Sequence, residues 1–368
     1  MIEVTESDVR AALAKVRTPE GAPLSASAAL SGIVVTSGKV YVSVTVDPAQ
    51  ARAWEPVRAA AEAAVQILPG VASALVTLTA ERKASSPAAQ HGGGPGAGRG
   101  IEVPGVGAII AVASGKGGVG KSTVAINLAL GLRDLGLKVG LLDADIYGPS
   151  VPRLSGVQEK PQTLDGRMMV PLENFGLQLM SIGFLVDEGT PMIWRGPMVM
   201  SALTQMLREV KWGPLDVLVV DMPPGTGDAQ LTMAQQVSLA GAVIVSTPQD
   251  LALIDARRGI AMFQRVNVPI LGVVENMSYF LCPECGARSD VFGHGGARHE
   301  AETIGVPFLG EIPLHMRIRE MSDAGLPILV CDPQSPQAEI YRNIARGVQV
   351  ALGRAGTGAR KAPQIVIE

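Results

Sequence analysis

Between about residue 104 and residue 350, short runs of apolar residues alternate with segments of helical character. This alternation is typical of an α/β fold, in which a mostly parallel sheet is flanked by helices. The runs are nearly continuous in apolar residues, as expected for strands that are covered on both faces. The predicted strands are Gly107–Ala113, Val139–Asp143, Leu177–Ile182, Val217–Asp221, Gly241–Ser246, Ile270–Glu275 and Phe308–Ile312.

The first 82 residues have a different pattern, which predicts a small α+β domain. Apolar residues at helical spacing predict a helix over Glu6–Val16, with Thr5 as its cap. The elements predicted after it are a hairpin of Ser31–Thr36 and Val40–Val46, a helix from Asp47 to Gln66, and a strand over Val71–Thr79. Because this region contains neither cysteine nor histidine, we interpret it as a docking or regulatory module.

A glycine-rich segment separates the two patterns. Six of the nine residues from Gly92 to Gly100 are glycine, and ordering such a segment costs much backbone entropy. We therefore predict a flexible linker over residues 83–103, a second domain over residues 104–352 and a flexible tail over residues 353–368.

The composition limits the possible partners and compartments. Hydrophobic residues make up 47% of the 368 residues, which is typical of a globular protein, and the formal net charge is −3. That charge gives no general electrostatic reason to bind nucleic acid or an anionic membrane. The first residues lack the basic and apolar regions of a signal peptide, and the three cysteines make a poor disulfide framework. We therefore expect a cytoplasmic protein that binds neither nucleic acid nor membrane.

The strongest local motif is a glycine-rich loop that follows the first predicted strand of the second domain. Its sequence, GKGGVGKST, matches the phosphate-binding loop G-x-x-x-x-G-K-[ST] in the required context of strand, loop and helix. Such a loop binds ATP through its backbone amides, while its lysine contacts the phosphates and its serine hydroxyl holds Mg²⁺. The candidate nucleotide-binding residues are Gly115, Lys116, Gly117, Gly118, Val119, Gly120, Lys121, Ser122 and Thr123.

Polar residues follow several of the predicted strands, at the sheet edge where α/β proteins bind ligands. Asp143 and Asp145 end the second strand. One carboxylate would lie near Mg²⁺ and the other would orient a water molecule; alternatively, both residues form a turn. Asp221 follows four apolar residues, as in P-loop ATPases, and precedes a loop able to sense the γ-phosphate. Asn276 follows a later strand, where it would read a nucleotide base or form a turn.

Two of the three cysteines form the sequence Cys282-Pro-Glu-Cys285. Two thiolates of one chain are too few for a four-thiolate site, but a symmetric dimer would bring four together. A structural zinc site completed by His294 and His299 is an alternative, although the spacing differs from that of zinc fingers. A thioredoxin-like redox pair is a third reading, which the position of the motif in the fold disfavours.

Several motifs together carry a family resemblance. Lys116, directly after the first glycine of the loop, resembles the signature lysine of the deviant Walker A group, which reaches the partner's nucleotide across a dimer interface. Within that group, the chain resembles iron–sulfur cluster carrier proteins of the Mrp/ApbC type through the motifs DADIYGPS (Asp143–Ser150), RGPM (Arg195–Met198), DMPPGTGD (Asp221–Asp228), ENMSYF (Glu275–Phe280), CPEC and FGHGGA (Phe292–Ala297).

The resemblance implies a homodimer that binds a labile 4Fe–4S cluster between its subunits and delivers it to apo iron–sulfur proteins, with scaffold proteins as further partners and slow ATP hydrolysis. By position, Lys121 and Ser122 would bind ATP–Mg²⁺, and Lys116 would act in the partner's site. Asp143 and Asp221 would support Mg²⁺, Asp145 would position the attacking water, Asn276 would contact adenine, and Cys282 and Cys285 would bind the cluster.

The first domain resembles the small N-terminal domain of many such carriers, a type associated with iron–sulfur assembly. It departs from that pattern, because Arg17-Thr-Pro-Glu stands where Asp-Pro-Glu is expected and no cysteine follows the second strand near Asp47-Pro48.

Two other functions share the nucleotide loop. A spatial-organising or partitioning ATPase would need a terminal amphipathic helix or a basic surface. The sequence of Ala355–Glu368 does not favour an amphipathic membrane helix. An ATPase whose cysteine pair holds structural zinc would need two further ligands.

Overall fold

The computed structural model describes residues 4–27, 29–36, 39–46, 51–71, 73–80, 101–164, 168–186 and 196–358. The chain forms two compact units, Met1–Gly96 and Ala97–Glu368. The predicted turn at Ser37 and Gly38, the helix cap at Asp47, most of the linker and Arg195 of the RGPM motif lie outside the described residues.

The first unit is a three-stranded sheet with two helices. Its elements are α1 (Glu6–Leu13), β1 (Leu30–Thr36), β2 (Lys39–Val46), α2 (Ala51–Gln66) and β3 (Ser73–Ala80). Strand β2 is central; it pairs antiparallel with β1 and parallel with β3. Every second residue of β2 from Val40 to Val46 is buried, as period-2 patterning requires.

Helix α1 begins where the sequence predicts and ends earlier. Thr5 accepts a hydrogen bond from the Asp8 amide and the Asp8 carboxylate bonds the Thr5 amide, so Thr5 is the predicted cap. The helix ends at Leu13 rather than at Val16. After Leu13 the chain continues in tight turns, in which the amides of Lys15 and Val16 donate to the carbonyls of Ala12 and Leu13.

The second unit contains a large sheet with helices between its strands. Its strands are β4 (Val106–Ala113), β5 (Val139–Asp143), β6 (Thr163–Leu164), β7 (Met168–Met169), β8 (Leu172–Asn174), β9 (Leu177–Ser181), β10 (Leu215–Asp221), β11 (Gly241–Ser246), β12 (Ile270–Leu281), β13 (Arg288–Ser289) and β14 (Phe308–Leu314). Its helices are α3 (Lys121–Asp134), α4 (Val151–Ser155), α5 (Gly196–Arg208), α6 (Asp228–Gln236), α7 (Asp250–Arg265), α8 (Gly296–Ile304), α9 (Met316–Asp323), α10 (Ile328–Cys331) and α11 (Pro336–Gly358).

Within the described residues, nine strands form this sheet in the order β13-β12-β11-β4-β10-β5-β9-β8, with β14 also pairing with β12. The pairs β8–β9 and β12–β13 are antiparallel and the other pairs are parallel. The predicted fold class, a mostly parallel sheet flanked by helices, is confirmed.

Both faces of the sheet are buried, as the nearly continuous apolar runs predict. On β4, Ile110 and Val112 belong to one apolar cluster, which helices α3, α4 and α9–α11 complete. Ile109 and Ala111 belong to a second cluster, which helices α5–α8 complete. Side chains of one strand thus anchor helices on opposite faces.

In the second unit, three of the differences from the predicted boundaries are informative. Strand β12 continues six residues beyond Glu275, because buried Asn276 and Ser278 find hydrogen-bond partners that allow polar residues inside the strand. Ile101, assigned to the linker, pairs with Val237 of the second unit. Helix α11 extends to Gly358, so the first residues of the predicted tail are helical.

Among the described helices, none combines the length and the apolar character that crossing a bilayer requires.

The central strand gives the first testable prediction. Ile110 is fully buried, whereas Ile254 on α7 is exposed. We expect Ile110→Ala to lower the free energy of unfolding by about 2–5 kcal/mol, because it leaves a cavity under α3. The matched change Ile254→Ala should stay within about 0.5 kcal/mol of the parent. Urea unfolding followed by hydrogen exchange of β4 peptides measures both, and equal losses would refute this account of the core.

Candidate nucleotide cleft and cysteine hairpin

A cleft opens at the carboxyl edge of the large sheet, where β4, β5 and β10 end side by side. Asp221 at the end of β10 stands in register with Val112 of β4 and Asp143 of β5. The cavity has a volume of ≈ 490 Å³, and its walls include Gly117, Gly118, Gly120, Lys121, Ser122, Thr123, Asp145, Pro149, Ser150, Arg153 and Pro224. The topology therefore brings the glycine-rich loop and two of the predicted acidic segments to one site.

The glycines of the loop are required by its geometry. Gly118 and Gly120 have φ values of +82° and +81°, which side chains disfavour. A Cβ at Gly115 would overlap the backbone of Asp255, because α7 packs directly against the loop. Helix α3 begins at Lys121, so its positive dipole end and free amides face the cleft.

A buried ion pair joins the loop to the sheet. The Lys121 Nζ lies 2.5 Å from Asp221 Oδ1, and the two side chains are 6% and 0% exposed. The same ammonium group donates to the Ser122 Oγ at 3.2 Å. Each charge therefore depends on the other, because a buried charge without a partner is very costly.

The second carboxylate oxygen of Asp221 is available to a divalent cation. Within the described residues, the buried Oδ2 of Asp221 has no hydrogen-bond partner. Carboxylate and hydroxyl oxygens are the protein ligands that Mg²⁺ prefers. The Ser122 hydroxyl is bonded to the Lys121 ammonium that contacts Asp221, so the residues present suit the predicted Mg²⁺.

Asp143 makes structural contacts that its position in the sequence does not predict. Its Oδ2 accepts hydrogen bonds from the Ser150 and Val151 amides and the Ser181 hydroxyl, and its Oδ1 accepts one from the Asp145 amide. Burial, followed by the neighbouring Asp221 carboxylate, raises the pKa of Asp143 to about 7. Asp143 thus holds the loop that carries Asp145 and Ser150, and its contact with Mg²⁺ stays a prediction.

Asp145 and Ser150 face the cleft from that loop. Asp145 is half-buried and burial raises its pKa. The Ser150 hydroxyl lies 3.1 Å from that of Ser122. The sequence alone did not single out Ser150, because nothing in a Gly-Pro-Ser turn indicates that its hydroxyl meets the nucleotide loop.

The loop after Asp221 lies against the base of the nucleotide loop. The amides of Met222 and Gly225 donate to the carbonyls of Val112 and Ser114 at 3.0 Å each. Gln230, which is buried and was not predicted, donates its side-chain amide to the Pro223 carbonyl at 3.2 Å. Pro224 reaches the cleft wall. This segment is therefore placed to respond to what occupies the cleft.

Lys116 is half-exposed and is not among the residues that line the cleft. Its carbonyl accepts a hydrogen bond from the Ser114 hydroxyl at 2.9 Å. Its ammonium group forms no ion pair with any residue that the structure describes. Lys116 is thus available to a second molecule, unlike the buried Lys121.

Asn276 lies beneath the loop rather than on the cleft wall. It is 7% exposed, and its side-chain amide donates to the Val119 carbonyl at 2.8 Å. A Cβ at Gly120 would overlap the Asn276 amide nitrogen. The predicted contact with adenine stays a prediction, whereas the contact with the loop is a feature that the sequence did not indicate.

The cysteine pair occupies a tight hairpin between β12 and β13. The Cys282 amide donates to the Ala287 carbonyl and the Gly286 amide donates to the Cys282 carbonyl, each at 2.9 Å. Hydrogen bonds from the backbone amides of Cys285 and then Glu284 lower the pKa of the Cys282 thiol. Cys282 is half-buried and Cys285 exposed. The turn is therefore built to hold a thiolate, the form that binds metals.

Among the described residues of this unit, no further ligand joins these thiols. In the described part of the chain, no three His, Cys, Asp or Glu side chains cluster so as to hold a metal ion. His294 instead contacts the Glu311 carboxylate at 3.0 Å. Cys331 lies in α10, where burial raises its pKa. One chain thus offers two prepared thiols and an incomplete site.

Comparison with known families identifies both units. Residues 105–349 match the sequence model of a family described as "NUBPL iron-transfer P-loop NTPase". Residues 6–76 match a family described as "Iron-sulfur cluster assembly protein".

Curated relatives are similar over the second unit. An iron–sulfur cluster transfer protein NUBPL from Dictyostelium discoideum is 56% identical over 250 residues, which are 67% of this chain and 77% of that protein. An iron–sulfur cluster carrier protein from Escherichia coli is 53% identical over 251 residues, 68% of each chain.

Solved structures agree on the fold. A nucleotide-binding protein from Archaeoglobus fulgidus, in complex with ADP, superposes with a TM-score of 0.56 at 40% identity, covering 64% of this chain and 93% of that one. A cell division ATPase MinD from Pyrococcus furiosus has a TM-score of 0.50 at 22% identity, covering 66% of this chain and 99% of that one. The second likeness shows the fold alone.

The buried ion pair gives a test of the cleft. We expect Lys121→Met to destabilise the nucleotide-free protein by about 3–5 kcal/mol, because Asp221 would stay buried without its partner. The double variant with Asp221→Asn should recover much of that loss, since it removes the orphaned charge. Denaturant unfolding of the parent, both single variants and the double variant measures this coupling. Purely additive losses would contradict a direct interaction.

Proposed function

This chain belongs to the NUBPL iron-transfer P-loop NTPase family, and on that premise we propose that it carries 4Fe–4S clusters to apo-proteins in an ATP-dependent cycle. The observation that carries the proposal is the incomplete thiol site in the same unit as the nucleotide cleft. Four thiolates are the usual ligand set of such a cluster, and two copies of the hairpin supply four.

The cargo site needs a homodimer in which two hairpins face each other. Cys282 of each copy is held by backbone amides that favour the thiolate, while Cys285 is exposed at the turn. A site assembled from two copies binds its cluster only while the copies stay together. Release to a recipient apo-protein or a scaffold protein then follows from loosening the dimer, which suits a carrier better than a storage protein.

ATP hydrolysis is assigned to the cleft residues by their positions. Loop amides and Lys121 bind the phosphates, and Asp145 on the facing wall orients the attacking water. Ser122 and Asp221 would hold Mg²⁺, which neutralises phosphate charge when bound. Asp143 supports this arrangement by fixing the loop of Asp145.

Lys116 links hydrolysis to dimerisation. Phosphoryl transfer depends mainly on positioning and charge neutralisation. A half-exposed lysine with no described ion-pair partner can neutralise phosphate charge in the second copy. Hydrolysis would then proceed only in the assembled dimer, where the cluster site is complete.

The first unit serves as a docking module in this proposal. It matches an iron–sulfur assembly family, yet residues 1–82 contain neither cysteine nor histidine. It therefore contributes contacts with partners rather than soft metal ligands. We place the cycle in the cytoplasm, because reducing compartments keep the exposed thiols free.

Removing either thiol of the hairpin should abolish cluster binding. We expect Cys282→Ala and Cys285→Ala to lose the iron and sulfide that the parent retains after anaerobic reconstitution, whereas Cys331→Ala, outside the hairpin, should retain them. Iron, sulfide and zinc analysis measures this. Equal iron in all four proteins would refute the cluster site, and stoichiometric zinc without iron would favour a structural metal.

Lys116→Ala should separate hydrolysis from binding. We expect ATP hydrolysis to fall about 100-fold, the effect of losing one charge-stabilising group, while the affinity for ATP changes little. Lys138→Ala, an exposed lysine before β5, is the matched control and should hydrolyse normally. Steady-state phosphate release and equilibrium nucleotide binding test this, and unchanged hydrolysis would exclude a role in the partner's site.

A further inference from the structure

One strand touches both the nucleotide loop and the cysteine hairpin. Strand β12 begins at Ile270, passes under the loop at Asn276 and ends at Leu281, directly before Cys282. Cys282 is the sixth residue after Asn276, a span of about 20 Å in extended chain. A change at the loop therefore has a short covalent route to the thiols.

The contact at the loop acts on one peptide unit. Asn276 donates to the Val119 carbonyl, and the Gly120 amide N–H belongs to the same peptide. In a trans peptide the carbonyl and the N–H point in opposite directions. Asn276 therefore turns the Gly120 N–H away from itself, and Gly120 lines the cleft where phosphate binds.

The two sides of this peptide reinforce each other. A phosphate oxygen that accepts from the Gly120 N–H polarises the peptide and strengthens the acceptor at Val119, since linked hydrogen bonds are cooperative. A bound nucleotide thus tightens the hold of the loop on Asn276. Without nucleotide that hold is weaker.

A bulge separates Asn276 from the hairpin. In the pairing with β14, Asn276 faces Ile312 and Phe280 faces Leu314, so four steps on β12 match two on β14. Met277 has a φ of +55°, which is rare for a residue with a side chain. Strained backbone of this kind persists only where the surroundings hold it in place.

The second hold on the bulge comes from Glu275, on the other side of Asn276. Its fully buried carboxylate accepts from the Ser278 hydroxyl at 2.5 Å. It also accepts from the amides of Gly295 and Ala297, at 3.0 and 2.7 Å, where α8 begins. These bonds attach residues on both sides of Met277 to a helix terminus, so the adjustable contact is the one between Asn276 and the loop.

We propose that Asn276 is a positioning residue that couples the nucleotide loop to the cysteine hairpin of the same chain, through the Met277 bulge. Nucleotide binding strengthens the contact between the loop and Asn276, which restrains the bulge and makes the hairpin less mobile. Loss of the nucleotide makes the hairpin more mobile again. The inference rests on the proposed function, because it names the regulation of that cysteine site. It also accounts for the buried position of Asn276 and for the strain at Met277.

The test uses the full-length chain without cluster, under anoxic and reducing conditions. The readouts are the rate of alkylation of Cys282 by iodoacetamide and hydrogen exchange across residues 277–287, with and without Mg²⁺ and a non-hydrolysable ATP analogue. In the parent we expect the nucleotide to slow both by about fivefold or more, the lower range of coupling between sites. Asn276→Ala should still bind the analogue, and the slowing should disappear.

Asn127→Ala is the matched control. Asn127 is a buried amide that donates to the Thr123 carbonyl of the same loop region at 2.8 Å, but it lies in α3 rather than in β12. We expect this variant to retain the nucleotide effect on the hairpin. A second variant, Met277→Gly, accepts the positive φ without strain and should keep nucleotide affinity while reducing the effect, which covers the case in which Asn276→Ala does not fold.

Each other outcome overturns the inference. If nucleotide changes neither readout in the parent, the loop and the hairpin are not coupled. If Asn276→Ala keeps the full nucleotide effect on the hairpin, the coupling runs through other residues. If the variant loses only its preference for ATP over GTP, Asn276 reads the base instead. An effect that grows with protein concentration shows shielding by a second copy. Failure of cluster reconstitution would refute the proposed function but leaves these readouts intact.

Discussion

The buried ion pair between Lys121 and Asp221 is the interaction on which the second unit depends. It joins the first turn of α3 to the end of β10, and both side chains are almost completely buried. The strand order places β10 between β4 and β5, so the pair also sets the distance between the glycine-rich loop and the loop that Asp143 holds. A nucleotide that draws Lys121 toward its phosphates therefore disturbs the centre of the sheet, not only its surface.

The unit separates a complete site from an incomplete one. The nucleotide cleft has its loop, its lysine and its acidic residues within one chain, whereas the hairpin presents two thiols and, among the described residues, no third ligand. The function that we propose would require a second copy for two physical reasons: the coordination number of the cargo and the availability of Lys116. Strand β12 gives the two sites a common element, since it contacts the loop and ends at Cys282.

Sequence reasoning succeeded where a local pattern decides the structure. Apolar runs located the core strands, and the loop motif located Lys121, because strand and loop geometry depend on neighbouring residues. It failed where a contact is distant in sequence. Asn276 bonds Val119 across 157 positions, and Gln230 supports a turn that no spacing reveals. Asp143 has the residue type of a metal ligand, and only the folded chain shows that amides already occupy its oxygens.

The mass of the loaded assembly under anoxic, non-denaturing conditions shows whether two chains share one cluster. We expect a species with the mass of two chains plus one 4Fe–4S cluster, which dissociates to single chains when a chelator removes the cluster. A cluster or a zinc ion bound to a single chain, at full occupancy and without a dimer, would contradict it.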